Sequence, residues 1–243
     1  MPYMLILGAT SEIARACALH FAQEGWDLCL AGRRLDALHA MAQELHAKTG
    51  CTADCAEFDA LNTSTHAKLW ASLADRTDAV LCAVGLLGDQ LAARHDSNAA
   101  DKILRANFTG LVPILSMAAD TFEQRRRGLI IGISSVAGDR GRGSNYLYGS
   151  AKAGFTAFLS GLRARLAPSG VQVLTVKPGL IASPMTEGRD LPKHLIASPE
   201  TAARDIANAV RKNRHTLYTP WYWRGIMLAV KHLPERLFIK LKS

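Results

Sequence analysis

Three side chains able to transfer protons lie in the second half of the sequence. Ser135 follows an apolar run, and Tyr148 and Lys152 stand four residues apart, a spacing that places two residues on one helix face. An ammonium about 4 Å from a phenol contributes up to roughly 4 kcal/mol at an effective dielectric near 20. Such a field would lower a tyrosine pKa from about 10 towards 7. We therefore expect Tyr148 to be a usable proton donor near neutral pH.

A tyrosine and a lysine at this spacing are also common on helix surfaces, where the pair does no chemistry. Two neighbours favour the chemical interpretation. The Ser135 hydroxyl could hold a substrate carbonyl, and Asn107 lies in a predicted helix that should pass beside the same crevice. Asparagine is unfavourable within a helix without a local reason. Asn107 therefore either takes part in a catalytic relay or satisfies buried backbone groups.

A glycine turn near the start of the chain indicates phosphate binding. The first apolar run leads into residues 8–14, Gly-Ala-Thr-Ser-Glu-Ile-Ala, and this turn opens a helix whose free amides can hold a pyrophosphate. We expect Gly8, Thr10, Ser11 and Ile13 to contact a dinucleotide. The spacing of a full three-glycine fingerprint is missing, so an ordinary turn with a serine cap is an equal alternative.

Two arginines follow the second apolar run. Arg33 and Arg34 occupy the place, about 20 residues after the turn, where an acidic residue would hold a free ribose 2′-hydroxyl. Arginine there favours the 2′-phosphate of NADP, so we expect NADPH to be preferred, with NAD not excluded. The alternative is a solvated helix start. Asp59 could lie near the adenine or simply cap a turn.

Short apolar runs alternate with amphipathic stretches along the chain, which predicts a parallel sheet covered by helices on both faces. The predicted strands are 3–7, 28–31, 79–84, 129–133 and 171–176, and the predicted helical stretches are 13–23, 35–48, 99–123 and 155–166. We expect an α/β fold in which residues 1–243 form a single-domain doubly wound parallel sheet of the Rossmann type. Its ligand crevice should lie at the carboxyl ends of the strands.

Charge is concentrated at the end of the chain. The 243 residues carry 29 basic and 21 acidic side chains, a net charge of +8. Residues 211–243 hold eight of the basic residues and one acidic residue, which is 8 − 1 = +7 and leaves +1 for the preceding 210. This distribution disfavours an even basic coat for nucleic acid, and no nucleic-acid partner is expected.

Other classes of protein are also disfavoured. The apolar content of 49% and charged content of 21% argue against disorder and fibres. Five cysteines, without CxxC spacing, favour reduced thiols in the cytoplasm, and no signal peptide is recognised. The eight histidines show no HExxH pattern, so no metal site is expected.

The C-terminal segment 220–243, here called the tail, is basic and amphipathic. Trp221, Tyr222 and Trp223 precede apolar residues interleaved with lysine and arginine, and Pro234 should divide the segment into two short helices. This composition is typical of peripheral contact with a bilayer at the inner face of the membrane. A lid over the substrate or a contact between subunits is an equal alternative.

The landmarks described so far occur in a specific order that resembles the short-chain dehydrogenase/reductase family. They are Gly8, Asn107 in Asn-Phe-Thr-Gly, Ser135 before Val-Ala-Gly, Tyr148 with Lys152, and Pro178-Gly179. The resemblance implies hydride transfer between NADP(H) and a carbonyl or secondary alcohol in a homo-oligomer, either a dimer or a tetramer. A non-enzymatic NADP-binding sensor is the alternative.

The resemblance also implies a role for each landmark. Tyr148 would be the general acid/base, Ser135 would position the carbonyl, Lys152 would orient the nicotinamide ribose and Asn107 would support a water relay. The nicotinamide pocket would be lined by Pro178, Gly179, Ile181 and Ser183.

The chain departs from the family pattern at two places. Glu12 and Ala14 replace the second and third glycines, so the Glu12 carboxylate should point away from a pyrophosphate. Residues 82–85 read Cys-Ala-Val-Gly where many members have Asn-Asn-Ala-Gly.

A narrower resemblance concerns residues 8–14, the Gly-Asp-Arg-Gly-Arg of residues 138–142 ahead of Ser-Asn-Tyr at 144–146, and the segment starting at Tyr218. These are similar to bacterial reductases related to the ketoreductase partner of decaprenylphosphoryl-ribose epimerase. The likeness implies a keto-sugar on a lipid carrier, with Arg140 and Arg142 meeting its phosphate. A solvated loop and a substrate that is a small soluble ketone are the alternatives.

Overall fold

The computed structural model of the chain describes residues 1–186, 188 and 192–240. In this part of the chain, seven parallel strands form the main sheet, and β7 (Leu180–Ile181) pairs with β8 (Ile196–Ala197) apart from it. The strands of the main sheet are β1 (Tyr3–Leu7), β2 (Asp27–Gly32), β3 (Ala53–Glu57), β4 (Ala79–Cys82), β5 (Leu129–Ile133), β6 (Gln172–Pro178) and β9 (Thr216–Thr219). Their spatial order is β3-β2-β1-β4-β5-β6-β9. The order reverses between β1 and β4, so a crevice opens there at the carboxyl ends.

Helices cover both faces of the sheet. They are α1 (Glu12–Gln23), α2 (Leu35–Thr49), α3 (His66–Leu73), α4 (Gln90–Ala93), α5 (Ser97–Asn107), α6 (Val112–Arg125), α7 (Tyr146–Leu166), α8 (Pro199–Arg211), α9 (Trp223–His232) and α10 (Glu235–Phe238). One core contains α1, α2 and α8 side chains such as Phe21, Leu38 and Ile206. The other contains α6 and α7 side chains such as Phe122 and Phe155. The predicted doubly wound, single-domain fold is confirmed.

The stretch 99–123, predicted as one amphipathic segment, consists of two helices. α5 ends at Asn107, and α6 starts at Val112 with a proline in its first turn. A Cβ on Gly110 would collide with the Ala60 carbonyl, so the backbone passes too close there for any side chain. Asn107 is therefore the last residue of a helix rather than an interior one.

The sequence analysis did not predict β9. Its residues, Thr-Leu-Tyr-Thr, are half polar, yet they pair with Thr175–Pro178 of β6 and extend the sheet by one strand. The tail then forms α9 and α10, which meet at Pro234 as that residue predicts. Among the described residues, no helix combines the length and apolarity that a bilayer crossing needs.

Candidate active site

A cleft of about 310 Å³ opens at the carboxyl ends of the strands. Segments distant in sequence meet there: the turn after β1, the chain after β4 and β5, the first turns of α7, and the chain after β6. The predicted site residues that line it are Thr10, Ser11, Ile13, Ser135, Tyr148, Lys152, Pro178, Gly179, Ile181 and Ser183. The structure thus brings most of the predicted site into one place.

The glycine turn fits the close approach of a phosphate group. Gly8 has a φ of 76°, and an added Cβ would lie 3.0 Å from the Val84 backbone nitrogen, so only glycine suits this position. Ser11 caps α1 by accepting a hydrogen bond from the Ala14 amide. Ser11 and Ile13 line the cleft, so the free amides of the first turn of α1 can hold an anion there. Glu12 lines this cleft and also a separate groove between α1, α2 and α8, so the expectation that its carboxylate points away from a pyrophosphate stays a prediction.

Arg33 and Arg34 are exposed just after β2, and their side chains form no hydrogen bond or ion pair with another described residue. The Ala31 carbonyl accepts a hydrogen bond from the Gly8 amide. The backbone of Arg33 and Arg34, two and three residues later, therefore lies close to the glycine turn. This is the position expected for a 2′-phosphate contact. Asp59 caps a turn by accepting from the Leu61 amide at 2.9 Å, and its contact with adenine stays a prediction.

Lys152 anchors α7. Its side chain is buried, with 2% exposure, and Nζ donates to the carbonyls of Ile133 at 3.0 Å and Val84 at 3.2 Å. These bonds tie α7 to the chain after β4 and to the end of β5. Burial lowers the pKa of Lys152 to about 8. The ammonium can therefore lose its proton at a pH only slightly above neutral.

The expected lowering of the Tyr148 pKa is wrong. Burial raises this pKa above its ordinary value, and a hydrogen bond with Ser135 only partly opposes the rise. Lys152 Nζ lies 5.8 Å from the centre of the Tyr148 ring and is shared by two carbonyls. Desolvation of a phenolate therefore outweighs the field of the ammonium. Tyr148 is a protonated phenol at neutral pH, the state that a proton donor needs.

Ser135 is held in an extended conformation at the end of β5, and its Oγ accepts from the Ala137 amide at 3.1 Å. The turn it starts packs closely on α7, because a Cβ on Gly138 would lie 2.7 Å from the Lys152 carbonyl carbon. Ser134, which the sequence analysis missed, fastens the same contact by donating to the Lys152 carbonyl. The serine, tyrosine and lysine therefore belong to one rigid unit.

Asn107 is fully buried next to the cleft. Its Oδ1 accepts from the Leu86 amide at 3.1 Å, and its Nδ2 donates to the carbonyls of Leu86 at 2.7 Å and Ile103 at 2.8 Å. Both polar atoms thus satisfy backbone groups, the second of the two predicted interpretations. Its role in a water relay stays a prediction.

Arg140 and Arg142 lie against the tail rather than in the cleft. Arg140 donates to the carbonyls of Val230 and Leu233, both at 2.5 Å, and pairs with Glu235 at 2.6 Å. Arg142 approaches the Met227 sulfur at 3.9 Å. The prediction that Arg140 binds a substrate phosphate is therefore corrected. Its guanidinium instead binds the ends of the two tail helices, α9 and α10.

Within the described residues, no cluster of three or more His, Cys, Asp or Glu side chains is arranged to hold a metal ion. The cysteines are unpaired, and all but Cys55 are buried.

Comparisons with known proteins agree on one group. Residues 2–193 match the family model described as short chain dehydrogenase. The chain is 36% identical to an uncharacterized oxidoreductase of Mycobacterium tuberculosis over 96% of this chain and 94% of that one. It is 35% identical to an uncharacterized oxidoreductase of Streptomyces coelicolor, over 98% and 95% of the two chains.

Solved structures share the fold. A short-chain dehydrogenase from Sphingobium yanoikuyae in complex with NADPH has a TM-score of 0.86 at 23% identity, covering 100% of this chain and 97% of that chain. A bulky-bulky ketone specific alcohol dehydrogenase from Comamonas testosteroni has a TM-score of 0.83 at 21% identity, covering 100% and 96%.

Proposed function

The chain belongs to the short-chain dehydrogenase family, and we propose that it is an NADPH-preferring reductase of a ketone, or the reverse alcohol dehydrogenase, with Tyr148 as general acid/base. One observation carries the proposal. A single cleft holds the Tyr148 phenol, Ser135 and the Lys152 ammonium, and it also holds a helix N-terminus suited to phosphate.

A bound nicotinamide cofactor would supply the hydride, which is chemistry that no side chain provides. The residues of the chain then manage the carbonyl oxygen. Tyr148 donates its proton to that oxygen as negative charge develops there. Ser135 Oγ accepts from the Ala137 amide, so its O–H, which faces Tyr148 in the free protein, can donate to the same carbonyl oxygen when a substrate is bound. Lys152, anchored by two carbonyls, keeps a positive charge beneath the site.

The preference for NADPH rests on Arg33 and Arg34. Their guanidinium groups are exposed next to the glycine turn, and no described acidic side chain pairs with them. Arginine matches a phosphate through two parallel hydrogen bonds, which a ribose hydroxyl cannot use. The Sphingobium structure with NADPH supports the same choice of cofactor.

The substrate class proposed is a ketone, and the Comamonas alcohol dehydrogenase supports it. A keto-sugar on a lipid carrier is the finer prediction. It is supported by the outer surface of the tail, where Trp221, Leu228, Leu237 and Ile239 are exposed. Basic side chains accompany them, and the single acidic residue of the tail, Glu235, is paired with Arg140. Such a surface suits anionic lipid headgroups.

Two measurements on the purified protein test the proposal. A fluorescence titration gives the affinity for NADPH, and the loss of NADPH absorbance reports turnover of water-soluble ketones and of a polyprenyl-phosphoryl keto-sugar in detergent. Turnover of at least one ketone is expected. Tight NADPH binding without turnover of any carbonyl would favour a sensor instead.

The lipid-carrier prediction has its own variant. Because Trp221 and Leu228 are exposed, Trp221→Ser with Leu228→Ser should leave the fold intact. We expect the double variant to lose activity on the lipid-linked substrate while keeping its activity on soluble ketones. Equal activity of the double variant and the wild-type protein on both kinds of substrate would refute a lipid-facing tail.

Light scattering of the same samples gives the subunit number, for which a dimer or tetramer is proposed.

A further inference from the structure

A buried ion pair that the reaction does not use lies behind the cleft. Lys177 Nζ binds Asp139 Oδ1 at 2.5 Å, and the Tyr218 hydroxyl donates to Asp139 Oδ2 at 2.6 Å. The Asp139 and Lys177 side chains are only 3% and 10% exposed. Each carboxylate oxygen thus has one donor, and both donors are supplied by the end of the sheet.

This cluster joins the two segments that must hold substrate and cofactor. Asp139 closes the turn that Ser135 starts, since its amide donates to the Val136 carbonyl. Lys177 directly precedes Pro178-Gly179, and Tyr218 lies opposite Lys177 in the register of β6 and β9. One carboxylate therefore connects the serine turn on one side of the cleft with the proposed nicotinamide segment on the other.

A buried charge pair costs desolvation, and apolar side chains of similar volume would often be no less stable. What the ion pair adds is geometry, because its hydrogen bonds fix direction and distance where apolar packing does not. The Gly179 segment is closely packed on its other side as well, since a Cβ there would collide with the Trp223 ring. The serine turn meets this segment in two ways: Val136 belongs to an apolar cluster with Trp223, against which Leu180 packs, and Asp139 supplies the directional hydrogen bonds.

We propose that Asp139, with Lys177 and Tyr218, is a positioning unit that sets the distance between Ser135 and the Pro178-Gly179 segment. It does not touch substrate or cofactor. It acts by keeping the carbonyl carbon, whose oxygen is held by Ser135, within reach of the hydride donor. The inference rests on the proposed function and adds to it residues that none of the predicted roles includes.

The chain contains a matched control at the opposite end of the sheet. The Tyr3 hydroxyl donates to Asp54 at 2.7 Å, Arg76 pairs with Asp54 at 2.8 Å, and the Arg76 guanidinium stacks 4.4 Å from the Tyr3 ring centre. These residues lie at or before the amino ends of β1, β3 and β4, away from the cleft.

The first test compares Asp139→Asn with Asp54→Asn. A misplacement of about 1 Å in a reacting site can cost about 100-fold in rate. We expect Asp139→Asn to lower kcat about 10- to 100-fold with the ketone KM changed much less, and to raise the deuterium isotope effect on hydride transfer. Lys177→Arg, which keeps the pair, should restore most of the rate in comparison with Lys177→Met. Asp54→Asn should leave kcat within about twofold of the wild-type value.

The second test needs no activity. Hydrogen exchange of the free protein should accelerate at amides 134–140 and 179–182 in Asp139→Asn but not in Asp54→Asn. Unchanged exchange there, or an unchanged kcat in an active Asp139→Asn protein, would overturn the positioning role. Absence of turnover in the wild-type protein would instead contradict the proposed function, so the two failures are distinguishable.

Discussion

A tyrosine, an aspartate and a basic residue form a cluster at each end of the strands. Tyr3, Asp54 and Arg76 lie at the amino ends, and Tyr218, Asp139 and Lys177 lie at the carboxyl ends. The two clusters differ in their exposure to solvent. At the amino ends, Arg76 and Asp54 are 51% and 41% exposed. At the carboxyl ends, Lys177 and Asp139 are almost enclosed. In both clusters burial and the hydrogen bond to aspartate raise the tyrosine pKa, so Tyr3 and Tyr218 alike stay neutral donors.

The difference lies in what the clusters join. The Asp54 cluster links β1 and β3 to the turn before β4 and can add only to the stability of the sheet. The Asp139 cluster links the serine turn to the end of β6, the two segments that carry the proposed chemistry. A cluster of given composition therefore gains a functional role from its place at the carboxyl ends, where the crevice of such a sheet lies.

The largest expected effect is the loss of kcat in Tyr148→Phe, with which the smaller losses in variants of the Asp139 cluster can be compared. Tyr148→Phe removes the proton donor while leaving the ring in place, so kcat should fall about 10²- to 10⁴-fold. The dissociation constant for NADPH should stay within a few-fold of the wild-type value. Steady-state rates and a fluorescence titration measure the two quantities, and a variant that keeps the wild-type kcat would refute the role of Tyr148.

A second pair of variants compares the stability that each cluster provides. Lys177→Met leaves the Asp139 carboxylate buried without its cation, which should lower the free energy of unfolding by about 3–5 kcal/mol. Arg76→Met breaks an exposed pair and should cost about 1 kcal/mol or less. Urea denaturation measures both. Equal losses would show that the two clusters do not differ in burial in solution.

A third variant concerns the nucleotide half of the cleft. Arg33→Ala removes one charge-assisted contact with the 2′-phosphate, worth about 1.5–3 kcal/mol, so affinity for NADPH should fall about tenfold or more. Affinity for NADH, which lacks that phosphate, should not change. Calorimetric titration of both cofactors measures this difference, and parallel losses would argue against the assignment of Arg33.

The smallest expected effect is a pH dependence. Because the pKa of Lys152 is about 8, kcat/KM for ketone reduction should be near half of its plateau at that pH and should fall further above it. Lys152→Arg, whose charge persists, should lack this fall. A pH profile that is flat to pH 10 in the wild-type protein would contradict a role for the Lys152 charge.

A loss of stability would not explain this fall of kcat/KM above pH 8. The Lys152 pKa is lowered from 10.5 to about 8 by folding, so the unfolded chain binds more protons between these values. The contribution of this group to stability therefore rises with pH across that window. Activity and stability should change in opposite directions there.

The fold and most of the cleft were predictable because they depend on local pattern. Apolar runs marked the central strands, and the order of Gly8, Ser135 and Tyr148 placed the site residues at strand ends. The desolvation of Tyr148, which is part-buried, was not predictable from spacing, because the groups around it come from several segments. The sign of its pKa shift was wrong for that reason.

Contacts between distant segments were also beyond the sequence pattern. Arg140 binds Val230 and Leu233, some 90 residues later, so a basic loop that suggested a phosphate site instead holds the tail. Lys177 ends an apolar run, and nothing local pairs it with Asp139. The partner Tyr218 lies on β9, a strand too short and too polar to be recognised.

Deuterium transfer tests hydride delivery in this cleft most directly. The wild-type protein is given a ketone together with NADPH that carries deuterium at the transferable position, and the alcohol is analysed by mass spectrometry and NMR. The expected product carries one deuterium on its carbinol carbon, and Tyr148→Phe should form it at least about 100-fold more slowly. An alcohol without deuterium, or bound NADPH that transfers none to any ketone, would contradict the proposed reaction.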